Sequence, residues 1–257
     1  MHQTDRPLQN LKVLVTRPEQ RAVELCRKID QAGGQALHFA AIVIGEPVNT
    51  QSREYVIHHL TEFDIAIFIS PTAVEKTFEF LKQLPADISI SAIGSRTASA
   101  LESKSLNIDI MPAGHDSESL LGHALMQAGQ VAGKKIVIFR GEGGRELLGD
   151  TLQSRGAEVF YADMYRRIPP SSAEQLDQYL ADTDIITVSS NQGLQNLYDL
   201  ATEKNRITSH YIVVPGERSY TLAKALGFSK IFVAENATDE ACMNALKYAL
   251  PEMSKKS

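Results

Sequence analysis

The sequence predicts an α/β protein with open, parallel sheets, and two observations carry that prediction. Short runs rich in valine and isoleucine alternate with segments of helical period, and the alternation recurs in the second half at a nearly constant offset. The runs are KVLVT (12–16), DIAIFIS (64–70), ISAIG (90–94), KIVIF (135–139), DIITVSS (184–190), YIVVPG (211–216) and IFVAE (231–235). None alternates polar with apolar, as expected of strands covered by helices on both faces. Helices are expected between them, over 19–32, 72–83, 118–128, 145–155, 191–201 and 239–249.

The recurrence is specific. KVLVTRPEQRAVELCRKIDQAGG (12–34) matches KIVIFRGEGGRELLGDTLQSRGA (135–157), with Arg17 on Arg140 and Gly33 on Gly156, an offset of 123. DIAIFISPTAVEKTFEFL (64–81) matches DIITVSSNQGLQNLYDLA (184–201) at an offset of 120. Gly94 and Arg96 fall on Gly216 and Arg218, offset 122. Three colinear matches imply a duplicated α/β unit and hence two similar domains. Two stretches break the beat: QALHFAAIVIGEP (35–47) and EVFYADMYRRIPP (158–170) are long, extended and closed by proline. They occupy equivalent places in the two halves, which suggests a paired connector and domains that need not be consecutive in sequence.

Composition narrows the function classes. The chain has 257 residues, 43% hydrophobic and 22% charged, with a net charge of −5. That is ordinary for a globular protein and does not suggest a large nucleic-acid face. The polar start MHQTDRPLQN has no apolar signal region and no apolar run reaches membrane-spanning length, so a cytoplasmic protein is expected. Cys26 and Cys242 sit in separate helix-like segments and read as small core residues. His58 and His59 are adjacent, diverge on a helix and have no ligand partner at i+4. No HExxH, CxxC, GxSxG or GxxxxGK[ST] pattern occurs, so no metal site is expected.

Chemistry in such sheets belongs to the turns after the strands, where helix N-termini offer unsatisfied N–H groups. Those turns are TRPEQ (16–20), SPTA (70–73), GSRTA (94–98), RGEGG (140–144), SSNQG (189–193) and PGERS (215–219). Each alone is ordinary: Ser70 is a good N-cap and Pro71 a good first helical residue anywhere. The set is not ordinary, because small hydroxyl and glycine turns with Arg17, Arg96, Arg140 and Arg218 in matched pairs would present two rims of anion-binding donors. Candidate binding residues are therefore Arg17, Pro18, Ser70, Pro71, Gly94, Ser95, Thr97, Arg140, Gly141, Gly143, Ser189, Ser190, Gly216 and Ser219. In IFRGEGGRE (138–146) the dinucleotide pattern GxGxxG would need its third glycine where Glu146 stands, and the next strand runs into the connector instead of ending in a ribose-binding acid. The turn suits an anion but lacks the nucleotide signature.

The ordered series VLVTRP with AGG, DIAIFISPTAV, AIGSRTASAL, SESLL, IVIFRGEGGRELLGDTLQSRGAEV, YRR and VSSNQGL closely resembles the uroporphyrinogen-III synthase family over roughly residues 11–250. The RGxGGRexLxxxLxxRGAxV block is its most specific part. The resemblance implies two flavodoxin-like parallel-sheet domains joined by a two-stranded β-ladder. On that scheme 1–36 with 169–257 form one domain and 43–160 the other, with 37–42 and 161–168 as the ladder. It implies a cofactor-free reaction on a small molecule, without nucleic acid or membrane partners, by a monomer. Linear hydroxymethylbilane loses its terminal hydroxyl as water, and a spiro intermediate lets the last pyrrole invert as the ring closes. The substrate's eight carboxylates are what the rims would hold. Tyr165 in DMYRR is the proton donor that the resemblance suggests, while Thr97 and Ser219 take matching polar turn positions; Ser219 stands where the family often has threonine. Apart from the resemblance, a non-catalytic two-domain anion-binding or regulatory protein would fit the same fold.

Overall fold

The computed structural model describes residues 6–114, 116–144 and 146–254. Arg145, which opens the helical pattern after the glycine cluster in sequence, lies outside the described residues, as does the start of the chain through residue 5. Two compact units emerge: residues up to Val43 with Ile168 onward, and Ile44–Arg167. The first opens with β1 (Lys12–Val15), α1 (Glu19–Gln31) and β2 (Gln35–His38). The chain passes through β3 (Val43–Gly45) into the second unit. That unit holds α2 (Gln51–His58), β4 (Ile65–Phe68), α3 (Pro71–Phe80), β5 (Ser89–Ala92), α4 (Ser95–Glu102), α5 (Ser117–Leu121), α6 (Ala128–Val131), β6 (Lys135–Gly141), α7 (Leu147–Ser154) and β7 (Glu158–Ile168). The first unit resumes with α8 (Ala173–Asp182), β8 (Ile185–Thr187), α9 (Asn191–Leu200), α10 (Lys204–Ser209), β9 (Tyr211–Pro215), α11 (Glu217–Ala225), β10 (Lys230–Ala234) and α12 (Asp239–Ser254).

The fold is α/β with one five-stranded sheet in each unit. The strand orders are β10-β9-β8-β1-β2 and β3-β7-β6-β4-β5. Pairing along β2-β1-β8-β9-β10 and along β7-β6-β4-β5 is parallel throughout. The duplication places β6 on β1, β7 on β2, β4 on β8 and β5 on β9, so the two sheets share one order. An isolated parallel bridge, Ser91 to Ile110, stands in the second unit where β10 stands in the first.

Register is pinned the same way twice. The Lys12 N–H donates to the Asp184 carboxylate at 2.7 Å, and the Lys135 N–H to the Asp64 carboxylate at 2.8 Å. In return Asp184 N–H donates to the Lys12 carbonyl and Asp64 N–H to the Lys135 carbonyl, both at 2.9 Å. The aspartate that begins each of the runs DIAI (64–67) and DIIT (184–187) thus fastens the neighbouring central strand, on which a one-residue slip would put every side chain on the wrong face.

Each sheet separates two apolar layers, because successive side chains point to opposite faces. In the second unit Phe68 and Phe139 stack at 4.7 Å on one face, while Ile65, Ile67, Ile136 and Ile138 pack on Leu148 and Leu152 on the other. In the first, Val13 and Val15 meet Leu25, Ile29 and Leu246, and Leu14 meets Leu176, Leu194 and Ile212. Each such fully buried side chain contributes about 1.5–3 kcal/mol of apolar transfer.

Two sequence expectations need correction. The single helix over 118–128 is α5, a 3₁₀ turn at Ala124–Met126, and α6. It breaks because His123 takes an extended conformation and its Nδ1 accepts from the Leu125 N–H, while the Gln127 side chain donates to the Leu121 and His123 carbonyls in place of helical N–H groups. The extended stretch 35–47 is also not one strand. It divides into β2 and β3, with the Phe39 and Ala41 N–H groups bonded to the Val15 and Thr16 carbonyls between them. Its counterpart is the single 11-residue strand β7. The segment 37–42 belongs to the first compact unit and 161–167 to the second.

Candidate active site

In each sheet the chain order reverses between two adjacent strands, β1 and β8 in the first unit and β6 and β4 in the second. Ligands of such folds bind beyond the carboxyl ends of strands at that switch. In the second unit the switch is flanked by Ser70 and Pro71 after β4 and by Gly141 and Gly143 at and after the end of β6. In the first it is flanked by Arg17 and Pro18 after β1 and by Ser189 and Ser190 after β8.

The two serine turns are superimposable in kind. Ser70 has φ −162 and ψ 155 and accepts from Ala73 N–H at 3.0 Å; Ser190 has φ −164 and ψ 157 and accepts from Gly193 N–H at 3.1 Å. Each hydroxyl satisfies one helix N–H and leaves others aimed past the sheet edge, with the positive end of the helix dipole behind them. Gly94 and Gly216 precede α4 and α11. Gly216 has φ +97, which favours glycine, whereas Gly94 at φ 179 is ordinary extended backbone. Ser95 is exposed; Thr97 and Ser219, two residues further on, are buried. The Ser219 hydroxyl donates to Asn191 Oδ1 at 2.6 Å, tying α11 to the start of α9. Pro71 occupies the position matching Asn191, so Thr97 finds no equivalent acceptor there.

Arg17 and Arg140 do not stand on the rims as free guanidinium groups. Arg17 is buried, pairs through Nη1 with Asp239 and donates through Nη2 to the Ala237 carbonyl at 3.0 Å. Arg140 donates from Nε to Asp163 Oδ1 at 2.8 Å, and its Cζ lies 3.7 Å from the centre of the Tyr161 ring. Burial raises the Tyr161 phenol above its ordinary range, and Arg140 partly offsets this. Arg140 Nη1 is buried without a hydrogen-bond partner. Arg96 and Arg218 are exposed. Sequence reading missed Asp163, Asp239 and Asn191; the only local signal was an acid two residues before Tyr165 and another opening the last helix.

Tyr165 is 3% exposed, on β7 beside the switch. Its hydroxyl lies 3.1 Å from Ser70 Oγ, and its ring packs against Gly141. Two hydroxyls sharing one hydrogen bond leave one O–H proton to donate elsewhere. Arg166 and Arg167 are both exposed, because β7 departs from simple alternation at this point.

Two concavities lie away from these turns. One of about 540 Å³ is lined by Asn10, Asp184, His210, Tyr211 and Lys230, at the amino ends of the strands. Another of about 500 Å³ is lined by Glu174, Asp177 and Arg206 among others. The first is at the wrong ends of its strands for such a site, and the second runs along the side of α8, so the strand-end rule is the better guide. Among the described residues no group of three His, Cys, Asp or Glu is placed to hold a metal ion, and no helix is long and apolar enough to cross a membrane.

The family model described as Uroporphyrinogen-III synthase HemD matches residues 23–244. The chain is 34% identical to the uroporphyrinogen-III synthase of Escherichia coli K12 over 250 residues, covering 92% of this chain and all of the relative. It is 32% identical to a putative uroporphyrinogen-III synthase of Methanothermobacter thermautotrophicus over 75% of this chain and 78% of the relative. Among solved structures, uroporphyrinogen-III synthetase from Helicobacter pylori matches with a TM-score of 0.61 at 15% identity, covering 94% of this chain and 99% of the other. A mutant Thermus thermophilus enzyme matches at 0.58 and 17%, with 94% and 99% covered; these two likenesses speak for the fold. The chain belongs to the uroporphyrinogen-III synthase family.

Proposed function

We propose that this chain closes linear hydroxymethylbilane to uroporphyrinogen III as a cytoplasmic monomer, without a metal or organic cofactor. The observation that carries the mechanistic reading is the Tyr165–Ser70 hydroxyl pair at the β4/β6 switch. The phenol proton passes to the terminal hydroxyl of the substrate, the carbon–oxygen bond breaks, and water leaves. The electron pair of the pyrrole nitrogen stabilises the azafulvenium cation that remains. The last pyrrole then attacks through its substituted carbon, the spiro intermediate rearranges so that the ring closes at the free α-carbon, and the proton lost from that carbon restores the phenol. Ring closure to the uninverted isomer needs no enzyme, so the protein's task is to hold the chain in the less accessible geometry. The N–H groups before α3, α4, α9 and α11, with Gly141, Gly143, Ser95 and Ser189 in the turns, suit carboxylates at many points.

The test mixes pure protein with freshly made hydroxymethylbilane and follows its disappearance against buffer. The expected rate rises in proportion to protein concentration. A rate independent of protein would overturn the proposal.

A further inference from the structure

Parallel neighbours keep step unless a bulge intervenes, and β6 and β7 fall out of step between Arg140 and Gly141. Arg140 is paired with Asp163, whereas Gly141 is paired with Tyr165, leaving Met164 as the extra residue on β7. Phe160, Ala162 and Met164 lie in the layer of Phe68 and Phe139, as alternation requires. Tyr165 should then turn to the other face, but the bulge keeps it in the same layer, 3% exposed. Bulges commonly re-aim one side chain in this way.

Gly141 makes the re-aimed position possible. A Cβ there would lie 2.7 Å from Tyr165 Cζ, 2.8 Å from Cε2 and 3.1 Å from the hydroxyl. No real Cβ sits so close to a ring, so any other residue displaces the phenol. The backbone itself does not call for glycine, since Gly141 is not among the positive-φ residues, unlike Gly143 at +74. The Glu142 N–H donates to the Tyr165 carbonyl at 2.7 Å and ties the main chain of the turn to that of β7. The ring is thus held between strand and turn with its hydroxyl against the Ser70 N-cap.

We infer that Gly141 is a positioning residue for Tyr165: its missing Cβ is the space the ring occupies, and filling it moves the hydroxyl away from Ser70. The inference rests on the proposed role of Tyr165 as proton donor. It goes beyond a rim contact for Gly141, because the effect runs through the tyrosine.

The test compares wild type, Gly141→Ala, Tyr165→Phe and the double variant, each also labelled with 3-fluorotyrosine for ¹⁹F NMR. The Tyr165 resonance is assigned by its loss in Tyr165→Phe. Gly141→Ala should move that resonance and lower kcat about tenfold or more, with KM nearly unchanged, as expected of a misplaced catalytic group. In the Tyr165→Phe background the same substitution should lower kcat no further. An unmoved resonance, or an equal loss of kcat in both backgrounds, overturns the inference. Full turnover by Tyr165→Phe alone overturns the proton-donor role, so the two failures are told apart. Should Gly141→Ala not fold, Ser70→Ala removes the partner hydroxyl without crowding the ring. It should move the resonance and lower kcat, and Ser70→Thr should restore both; no movement with Ser70→Ala again overturns the inference.

Discussion

The Nε of Arg140 lies 2.8 Å from Oδ1 of Asp163, and the two side chains are only 10% and 20% exposed. The pair joins β6 to β7 one step before the bulge that presents Tyr165. Removing one partner of such a pair strands the other charge, at about 3 kcal/mol. Arg140→Ala should therefore lower the melting temperature markedly while KM changes little. Thermal unfolding beside steady-state kinetics checks this. An unchanged melting temperature with a raised KM would mean that the guanidinium serves the substrate instead.

Arg17 uses two different nitrogens for Asp239 and for the Ala237 carbonyl. A lysine carries one ammonium and cannot span both acceptors. Arg17→Lys should still lose about 1.5 kcal/mol, by analogy with other charge-assisted bonds. Chemical denaturation of the two proteins measures the difference. Equal stability would show that the second acceptor contributes nothing.

Tyr165→Phe keeps the ring on Gly141 and loses only the hydroxyl. Turnover should drop about 10²-fold or more, the lower end of general acid catalysis. Stability should fall by only about 1 kcal/mol, for the lost bond with Ser70. Kinetics and melting curves of the purified variant decide the point; nearly full turnover would remove Tyr165 from the mechanism.

These variants divide along the line between what sequence can and cannot carry. The strands, the duplication and the N-capping serines are local signals: apolar runs without alternation, a repeated Asp-Ile start, and Ser-Pro or Ser-Asn before a helical period. They could be read directly from the residues. The partners of Arg17 and Arg140 could not, since Asp239 and Asp163 meet them only through sheet order and register. The bulge after Arg140 was equally silent, because alternation alone sends Tyr165 to the opposite face. The break at His123 was missed for another reason. There, side-chain bonds from His123 and Gln127 compete with the helix, and apolar period does not report them.

Burial pushes the Cys242 thiol up to about 11 from 9.0. A thiol with a raised folded-state value stays protonated in the native protein while the unfolded chain ionises. Its contribution to stability is complete below pH 9 and disappears as pH rises through about 11. The loss expected over that window is about 2–3 kcal/mol. Denaturation of wild type and Cys242→Ala at pH 8 and pH 11 isolates it, because other titrating groups are common to both. The alanine variant should lose less stability across the window; parallel losses would contradict the assignment.

The most direct measurement for the proposed activity is the isomer composition of the product. Freshly made hydroxymethylbilane is converted by the pure protein, the product is oxidised, and the type I and type III porphyrins are separated. Almost entirely type III porphyrin is expected with protein present, against type I in buffer alone. A product that stays type I at every protein concentration would contradict the proposed function.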